Sequence, residues 1–295
     1  MKIKLIFILT IFFTGTLIVK AQEDDLESLL EEDMGPVTEK VLGTFLSTYV
    51  LNNHSVELLN KNGINFRISH KFGFLNTGSD NFYGFDNSSV FTGIEYAPAD
   101  WINVGIGRGT FRESFNTMVK IKLLEQQTGA KEIPVSIAVY SELDYRTKKY
   151  VIEDLQNDKS GRIEYTSQLL IARKFGKKLS AQLMPGYTHR NLVETREDIN
   201  GIASVGVGAS YSLLKRLRLN AEYYWVQEHD TPAAEYFSPL SAGICYQTSR
   251  HAFELFATNS TGITSNNHIA YTTGDFFGGD VCIGFNISIV FSVKR

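Results

Sequence analysis

Past residue 20 the chain has no apolar run approaching the roughly 20 residues that a membrane-crossing helix needs. Cysteine is scarce: Cys245 and Cys282 are alone in 295 residues, with no Cys-x-x-Cys-His and no paired Cys/His cluster. Covalent haem and structural zinc therefore lack a ligand set, and no cofactor and no metal are expected. Positive charge is not in excess either. A formal net charge of −3 argues against nucleic acid as a partner. What is present is aromatic residues at 12% and 24 glycines. A membrane protein of this profile has to be a closed sheet, because only helices and barrels satisfy every backbone group in lipid.

The start of the chain carries an export pattern. Lys2 and Lys4 precede an apolar run from Leu5 to Val19, which closes on Val19-Lys20-Ala21, a small-residue cleavage sequence. Residues 1–21 read as a secretory signal peptide. A membrane anchor is the competing reading, but the run is short and acidic sequence follows it. Removing Lys2, Lys4 and Lys20 with no acid takes the formal charge from −3 to −6.

The end of the chain carries the class. From Val281 to Val293, Val281, Ile283, Phe285, Ile287, Ile289, Phe291 and Val293 alternate with Cys282, Gly284, Asn286, Ser288 and Ser292, and only Val290 breaks the pattern. A period of two over this length places one face in hydrocarbon and the other in a polar interior. Thirteen such runs are present, beginning with Val41–Leu51 and Asn65–Phe72. Bacterial single-chain barrels use even numbers, so one run lies outside the wall.

Connection lengths choose it. Short links at Pro98–Asp100, Phe175–Lys178, Leu214–Arg216 and Ser249–Arg250 alternate with long ones at Gly73–Asn87, Asp144–Arg162, Arg190–Ile202, Gln227–Pro239 and Ser260–Asp280. Phe111–Ser114 is a short member of the long set. With short links in the periplasm, the expected fold is an all-β, transmembrane antiparallel barrel of twelve strands over residues 63–295; ten or fourteen would follow from a miscounted run. Residues 22–62 then form an acidic periplasmic or plug segment. In it, Leu26, Leu29 and Leu30 are spaced for a short amphipathic helix, although a solvated acidic leader fits as well. Cys245 and Cys282 fall on next-but-one strands, roughly 9–10 Å apart, and are expected as free inward thiols.

Alternation also assigns faces. Arg67, Lys71, Lys120, Lys122, Gln168, Gln182, Arg190, Arg218, Glu222 and Glu254 are expected to line the lumen, with Glu95, Glu142, Glu164 and Lys174 beside them. A basic stripe of Arg67, Lys71, Lys120, Lys122 and Arg190 would favour a small anionic solute. The alternative is that acids and bases pair across a shut interior, since buried charges demand partners. Trp101, Tyr96, Tyr187, Tyr223, Trp225 and Tyr246 read as girdle aromatics in contact with outer-membrane lipid. Gly105-Ile106-Gly107-Arg108-Gly109 has no following helix and reads as close packing in a strand, not a phosphate loop. Ser167 with His70 or His189 would be needed for a lipid-facing hydrolase, but no spacing fixes their geometry. No catalytic residue is expected.

Asn53-His54-Ser55-Val56-Glu57, Phe66-Arg67-Ile68-Ser69-His70-Lys71-Phe72-Gly73, Gln168–Phe175, Leu183-Met184-Pro185, His189-Arg190-Asn191-Leu192 and Gly284-Phe285-Asn286-Ile287-Ser288 together resemble an uncharacterised family of bacterial outer-membrane β-barrels. The resemblance spans nearly all of the chain after residue 21. It implies a barrel and a location but no catalytic residue. Outer-membrane strands often end on an aromatic, whereas Phe291 is followed by Ser292, Val293, Lys294 and Arg295, so the signal read by the insertion machinery is displaced. The expected function is a small-solute channel or transport component. A closed structural barrel that docks a periplasmic protein through its N-terminal segment is the alternative, and a lipid-facing hydrolase the third.

Overall fold

The computed structural model describes residues 37–148, 158–193, 198–231 and 234–292. The expected signal peptide and the acidic stretch Glu23–Asp33 lie outside the described residues. Two compact units divide the chain, Met1–Thr38 and Glu39–Arg295. The second unit contains the barrel.

Twelve antiparallel strands close on themselves: β1 (Gly63–Phe74), β2 (Ser88–Ala99), β3 (Ile102–Gly109), β4 (Ser114–Leu124), β5 (Ser136–Arg146), β6 (Ile163–Phe175), β7 (Leu179–Arg190), β8 (Gly201–Leu214), β9 (Leu217–Val226), β10 (Leu240–Gln247), β11 (His251–Thr258) and β12 (Cys282–Ser292). Each pairs with its neighbour in sequence, and β12 closes on β1 with Asn286 opposite Ser69 and Ser288 opposite Arg67. The terminal strand starts at Cys282, one residue inside the expected Val281.

The alternation has a direct physical outcome. Along β12, Cys282, Gly284, Asn286 and Ser288 are buried while Ile283, Phe285, Ile287 and Ile289 face out. The outer face of the wall carries exposed apolar side chains, including Ile106, Leu219, Leu255 and Ile244. Tyr96, Trp101, Tyr211 and Tyr246 ring the end with short turns, and Tyr165, Tyr187, Tyr223 and Trp225 ring the other, all exposed. Two aromatic belts of this kind bracket a hydrocarbon layer.

Inward glycines make room for inward rings. An ideal Cβ on Gly107 would lie 2.2 Å from Cζ of Phe91, and one on Gly284 2.5 Å from Cζ of Phe256, so each ring lies flat against a neighbouring strand. The glycine-rich run of β3 is thus a packing surface, not a phosphate loop. Its exit is the tight turn at Phe111–Glu113, where Arg112 and Glu113 have φ of 53° and 47°.

The thirteenth run, Val41–Leu51, is not a strand. Its one bridge joins Tyr49 to His54, and Val50 N–H donates to the Asn53 carbonyl across 2.9 Å, making a tight turn with Leu51 and Asn52 at its tip. Phe45, Val50, Leu51, Asn53, His54 and Ser55 are almost wholly buried. The apolar period of two that made this stretch look like a wall strand instead serves packing inside the barrel. From the opposite end, the loop 259–281 turns inward and forms a helix, α1 (Ser265–Ala270), whose six residues are all buried. Thr264 caps it, accepting from Asn267 N–H at 3.3 Å.

Candidate functional site

The lumen is occupied from both ends by the chain itself. Segment 41–59 enters at the short-turn end, where Val41 N–H donates to Gln126 O at 2.9 Å and Lys174 Nζ donates to Leu42 O at 2.7 Å. Arg218 donates to Thr44 O (2.9 Å) and Gly43 O (3.1 Å), and Gln247 to Leu46 O (2.7 Å). Deeper in, Lys120 Nζ donates to Thr48 O and Ser55 O, both at 3.1 Å, and lies 3.4 Å from His54 Nδ1. Asn220 donates to Val50 O at 2.7 Å. Arg67 reaches Leu51 O at 2.8 Å and stacks over the Tyr49 ring with its guanidinium carbon 3.7 Å from the centroid.

The segment's donors are met as well. Glu222 accepts from Asn52 N–H (3.0 Å) and Asn53 N–H (3.3 Å), Gln182 from Val56 N–H (2.7 Å), and Asn103 from Leu59 N–H (3.3 Å). A turn removed from water must have its backbone groups paired, and here barrel side chains take the role that a neighbouring strand plays elsewhere. Apolar packing completes it. Phe45, Val50 and Val56 join inward residues Met118, Ala138, Tyr140, Leu170, Ala172, Met184 and Tyr224 in one core with Ile269 of α1.

Loop 259–281 engages a different set. Its groups donate to carboxylates: Asn266 N–H to Glu142, Thr264 hydroxyl to Asp144 (2.8 Å) and Tyr271 hydroxyl to Glu164 (2.7 Å). His268 Nε2 lies 3.6 Å from Glu222 Oε1. In return Lys71 donates to the Gly262 carbonyl. Tyr271 is also clamped, with Arg112 3.9 Å and Arg190 5.5 Å from its ring centre. Arg112 itself pairs with Glu164 at 3.0 Å. Between the two inserted pieces remains a cavity of about 20 Å³, lined by Tyr49, Arg67, Lys71, Glu142, Thr264 and Ser265 among others. That is room for about one water.

The residues expected to line the lumen fall into three groups. Arg67, Lys120, Gln182, Arg218 and Glu222 hold segment 41–59 directly, and Glu254 does so through Arg67 (3.2 Å) and Asn286 (2.7 Å). Lys71 holds the loop, Gln168 donates to Tyr224 hydroxyl at 3.2 Å, and Arg190 donates to Ile199 O of its own loop at 2.7 Å. Lys122 is the exception. It is half-buried at the short-turn rim beside a break in register at Lys122/Leu124 and pairs with Glu125 at 3.1 Å. Past this break the buried–exposed alternation of the strand lapses, with Leu123 and Leu124 both exposed, which strict alternation does not foresee.

Sequence reasoning missed two contributors. The first is the apolar inward set of Leu170, Met184 and Tyr224, whose signal was an apolar residue in the polar phase of its strand. The second is α1, whose Ser-Asn-Asn-His-Ile-Ala sequence has no amphipathic period.

Ser167 faces outward and shares a 2.7 Å hydrogen bond with Ser141. His189 stacks on Tyr165 at 5.1 Å, and His70 on Phe285 at 5.1 Å. No serine–histidine hydrogen bond joins them among the described residues, so a hydrolytic pair is not assembled. Cys245 and Cys282 are free and buried. No group of His, Cys, Asp and Glu able to hold a metal occurs among the described residues.

The architecture has solved counterparts. An outer membrane channel from Pseudomonas putida F1 superposes with a TM-score of 0.50 at 11% identity, over 80% of this chain and 98% of that one. The NanC porin gives 0.46 at 8% identity over 79% and 100%, and Omp33 of Acinetobacter baumannii 0.41 at 10% over 78% and 99%. At such identities the likeness is one of fold. No curated protein matches the chain by sequence. A family model described as "Membrane bound beta barrel domain (DUF5777)" matches residues 45–291, taking in the inserted turn together with every strand, and the chain therefore belongs to this family of membrane-bound β-barrels.

Proposed function

We propose that the protein is a gated small-solute channel of the bacterial outer membrane and that this structure is its closed state. The observation that carries this reading is the way the lumen is filled. Inside the lumen, residues 42–59 are held to the wall by side-chain hydrogen bonds and packing; backbone pairing with the rest of the chain is confined to the entrance, where Val41 N–H meets Gln126 O and Thr38–Lys40 pairs with Gln127–Gly129 in a link outside the wall, so the segment can leave without breaking the wall. In this orientation the short turns face the periplasm and the segment closes that half, while loop 259–281 closes the external half. The cations Arg67, Lys120 and Arg218 are engaged by backbone carbonyls in the closed state. The small anionic solute expected from the basic stripe therefore draws no support from it.

A specific observation favours a second reading. The shared apolar core of Phe45, Val50, Val56, Leu170 and Met184 is packed as in a permanently shut scaffold. Planar-bilayer conductance of the refolded protein, with and without residues 22–62, separates the two. Current steps that appear or grow on truncation support the gated channel. Silent bilayers from demonstrably folded barrels of both forms overturn it in favour of the closed, partner-docking barrel.

A further inference from the structure

Loop 259–281 enters the lumen with no lysine or arginine of its own, yet what it meets there is chiefly carboxylate. Glu142, Asp144 and Glu222 are each at most 4% exposed. Among the described residues no lysine or arginine forms an ion pair with any of the three; Glu222 has His268 Nε2 at 3.6 Å and feels the attraction of the buried Lys71 ammonium, whereas Glu142 and Asp144 have neither. Glu142 is satisfied by neutral donors only: Tyr140 hydroxyl (2.6 Å), Asn116 amide (3.2 Å) and Asn266 N–H. Asp144 takes Asn116 (3.0 Å) and Thr264 hydroxyl (2.8 Å).

The fit of the loop is also incomplete. Among the described residues, both ring nitrogens of His268 and both side-chain polar atoms of Asn266 find no hydrogen-bond partner, although His268 and Asn266 are fully buried. A buried polar group without a partner is costly; the cavity of about 20 Å³ that Thr264 and Ser265 of the loop help to line has Glu142 and Asn116, but also Arg67 and Lys71, in its wall. Two buried carboxylates without an ion pair, Glu142 and Asp144, neutral donors standing in for one, and a loop whose own buried Asn266 and His268 side chains gain nothing from their place describe a cation site filled by a poor substitute.

We propose that the loop-side half of the lumen is a binding vestibule for a small organic cation rich in N–H donors, and that loop 259–281 occupies it as a built-in stand-in for that ligand. An ammonium group would replace Asn266 N–H at Glu142 and the Thr264 hydroxyl at Asp144 with charge-assisted bonds, which are the stronger kind. A second ammonium would reach Glu222, which also holds the Asn52 and Asn53 N–H groups of the opposite turn. Competition for that one carboxylate couples the two closures. Lys71 opposes the ligand, because its ammonium loses the Gly262 carbonyl when the loop withdraws. The proposal rests on the gated reading only in requiring that the loop be displaceable.

Titration calorimetry of the full-length folded barrel with spermidine tests it, with sorbitol and gluconate as neutral and anionic controls. Spermidine is expected to bind and both controls to fail. Affinity is expected to fall by roughly tenfold or more in Glu142→Gln/Asp144→Asn, as loss of a charge-assisted contact predicts, and to rise in Lys71→Met. Absence of spermidine binding overturns the proposal, as does binding that neither substitution alters. Heat-modifiable gel mobility establishes that each variant is folded, and Lys71→Met provides a reading should the double variant not fold. Because no current is measured, a silent bilayer leaves this result standing, and failure to bind leaves the conductance result standing.

Discussion

Gln182 serves Val56 and its neighbourhood as a strand would: its amide oxygen accepts from the Val56 N–H at 2.7 Å while its Nε2 donates to the His54 carbonyl at 2.9 Å. One wholly buried side chain thus satisfies a donor and an acceptor of the inserted segment. Gln182→Leu leaves both backbone groups unpaired. With each such group costing about 1–3 kcal/mol, the expected effect is a lower midpoint in thermal unfolding followed by gel mobility. Release of the segment should precede loss of the barrel.

Arg67 and Glu254 pair at 3.2 Å with their side chains at most 4% exposed. Arg67→Met strands Glu254 in the lumen and removes the donor to Leu51 O, a loss of about 3–5 kcal/mol for a broken buried pair. Arg67→Met combined with Glu254→Gln should recover part of it. Equilibrium unfolding of the four forms gives the coupling directly, and strict additivity would contradict the pair.

Lys40 and Glu125 meet at 2.7 Å where the segment enters. Burial of Glu125 acts to raise its pKa, but hydrogen bonds from Lys40 and Lys122 outweigh this and hold it below the ordinary value. The hydrogen bond to Glu125 raises Lys40. The Glu125 contribution is therefore present above the ordinary carboxylate range and is lost as pH falls through its depressed value. The Lys40 contribution is present below the ordinary lysine range and is lost only as pH rises through its raised value. Hydrogen exchange at Val41 N–H, corrected for intrinsic rate, should show protection that is flat near neutrality and falls in acid. In Glu125→Gln it should be weaker at neutral pH and insensitive to acid.

The two thiols report on the two closures separately. Cys282 Sγ donates to Ser260 O at 3.6 Å, at the root of the inward loop. Cys245 pairs in register with Arg218, which holds Thr44 and Gly43. Neither should react with maleimide in the folded full-length chain. Deleting residues 22–62 should expose Cys245 first, whereas displacing the loop should expose Cys282 first, as read by mass spectrometry of labelled peptides.

The wall was legible because lipid and lumen impose opposite demands on successive residues. Arg67, Lys120 and Glu222 declared themselves inward by sitting between Phe66 and Ile68, Val119 and Ile121, and Ala221 and Tyr223. The count of twelve followed from link lengths even at Phe111–Ser114. What fills the lumen was not legible in the same way. The inserted turn 49–54 is held by residues between 16 positions (Arg67 to Leu51) and 235 positions (Asn286 to Leu51) away, with Lys120 and Glu222 between these extremes, and no local period records such partners. Leu170 and Met184 carried a usable sign, since an open watery lumen gives an inward Leu or Met nothing to pack on. Loop 259–281 carried none, because its contacts with Glu142, Asp144 and Glu164 run through backbone N–H and single hydroxyls.

The Leu51 carbonyl accepts from Arg67 on β1 and, at 3.0 Å, from Asn286 on β12. These are the first and last strands, whose pairing turns an open sheet into a ring. One oxygen of a segment that precedes every wall strand therefore sits astride the seam between the first strand and the last. A ring sealed without that turn leaves Arg67, Asn286 and Glu254 grouped around a missing acceptor, so the inserted turn braces the seam that turns the sheet into a barrel.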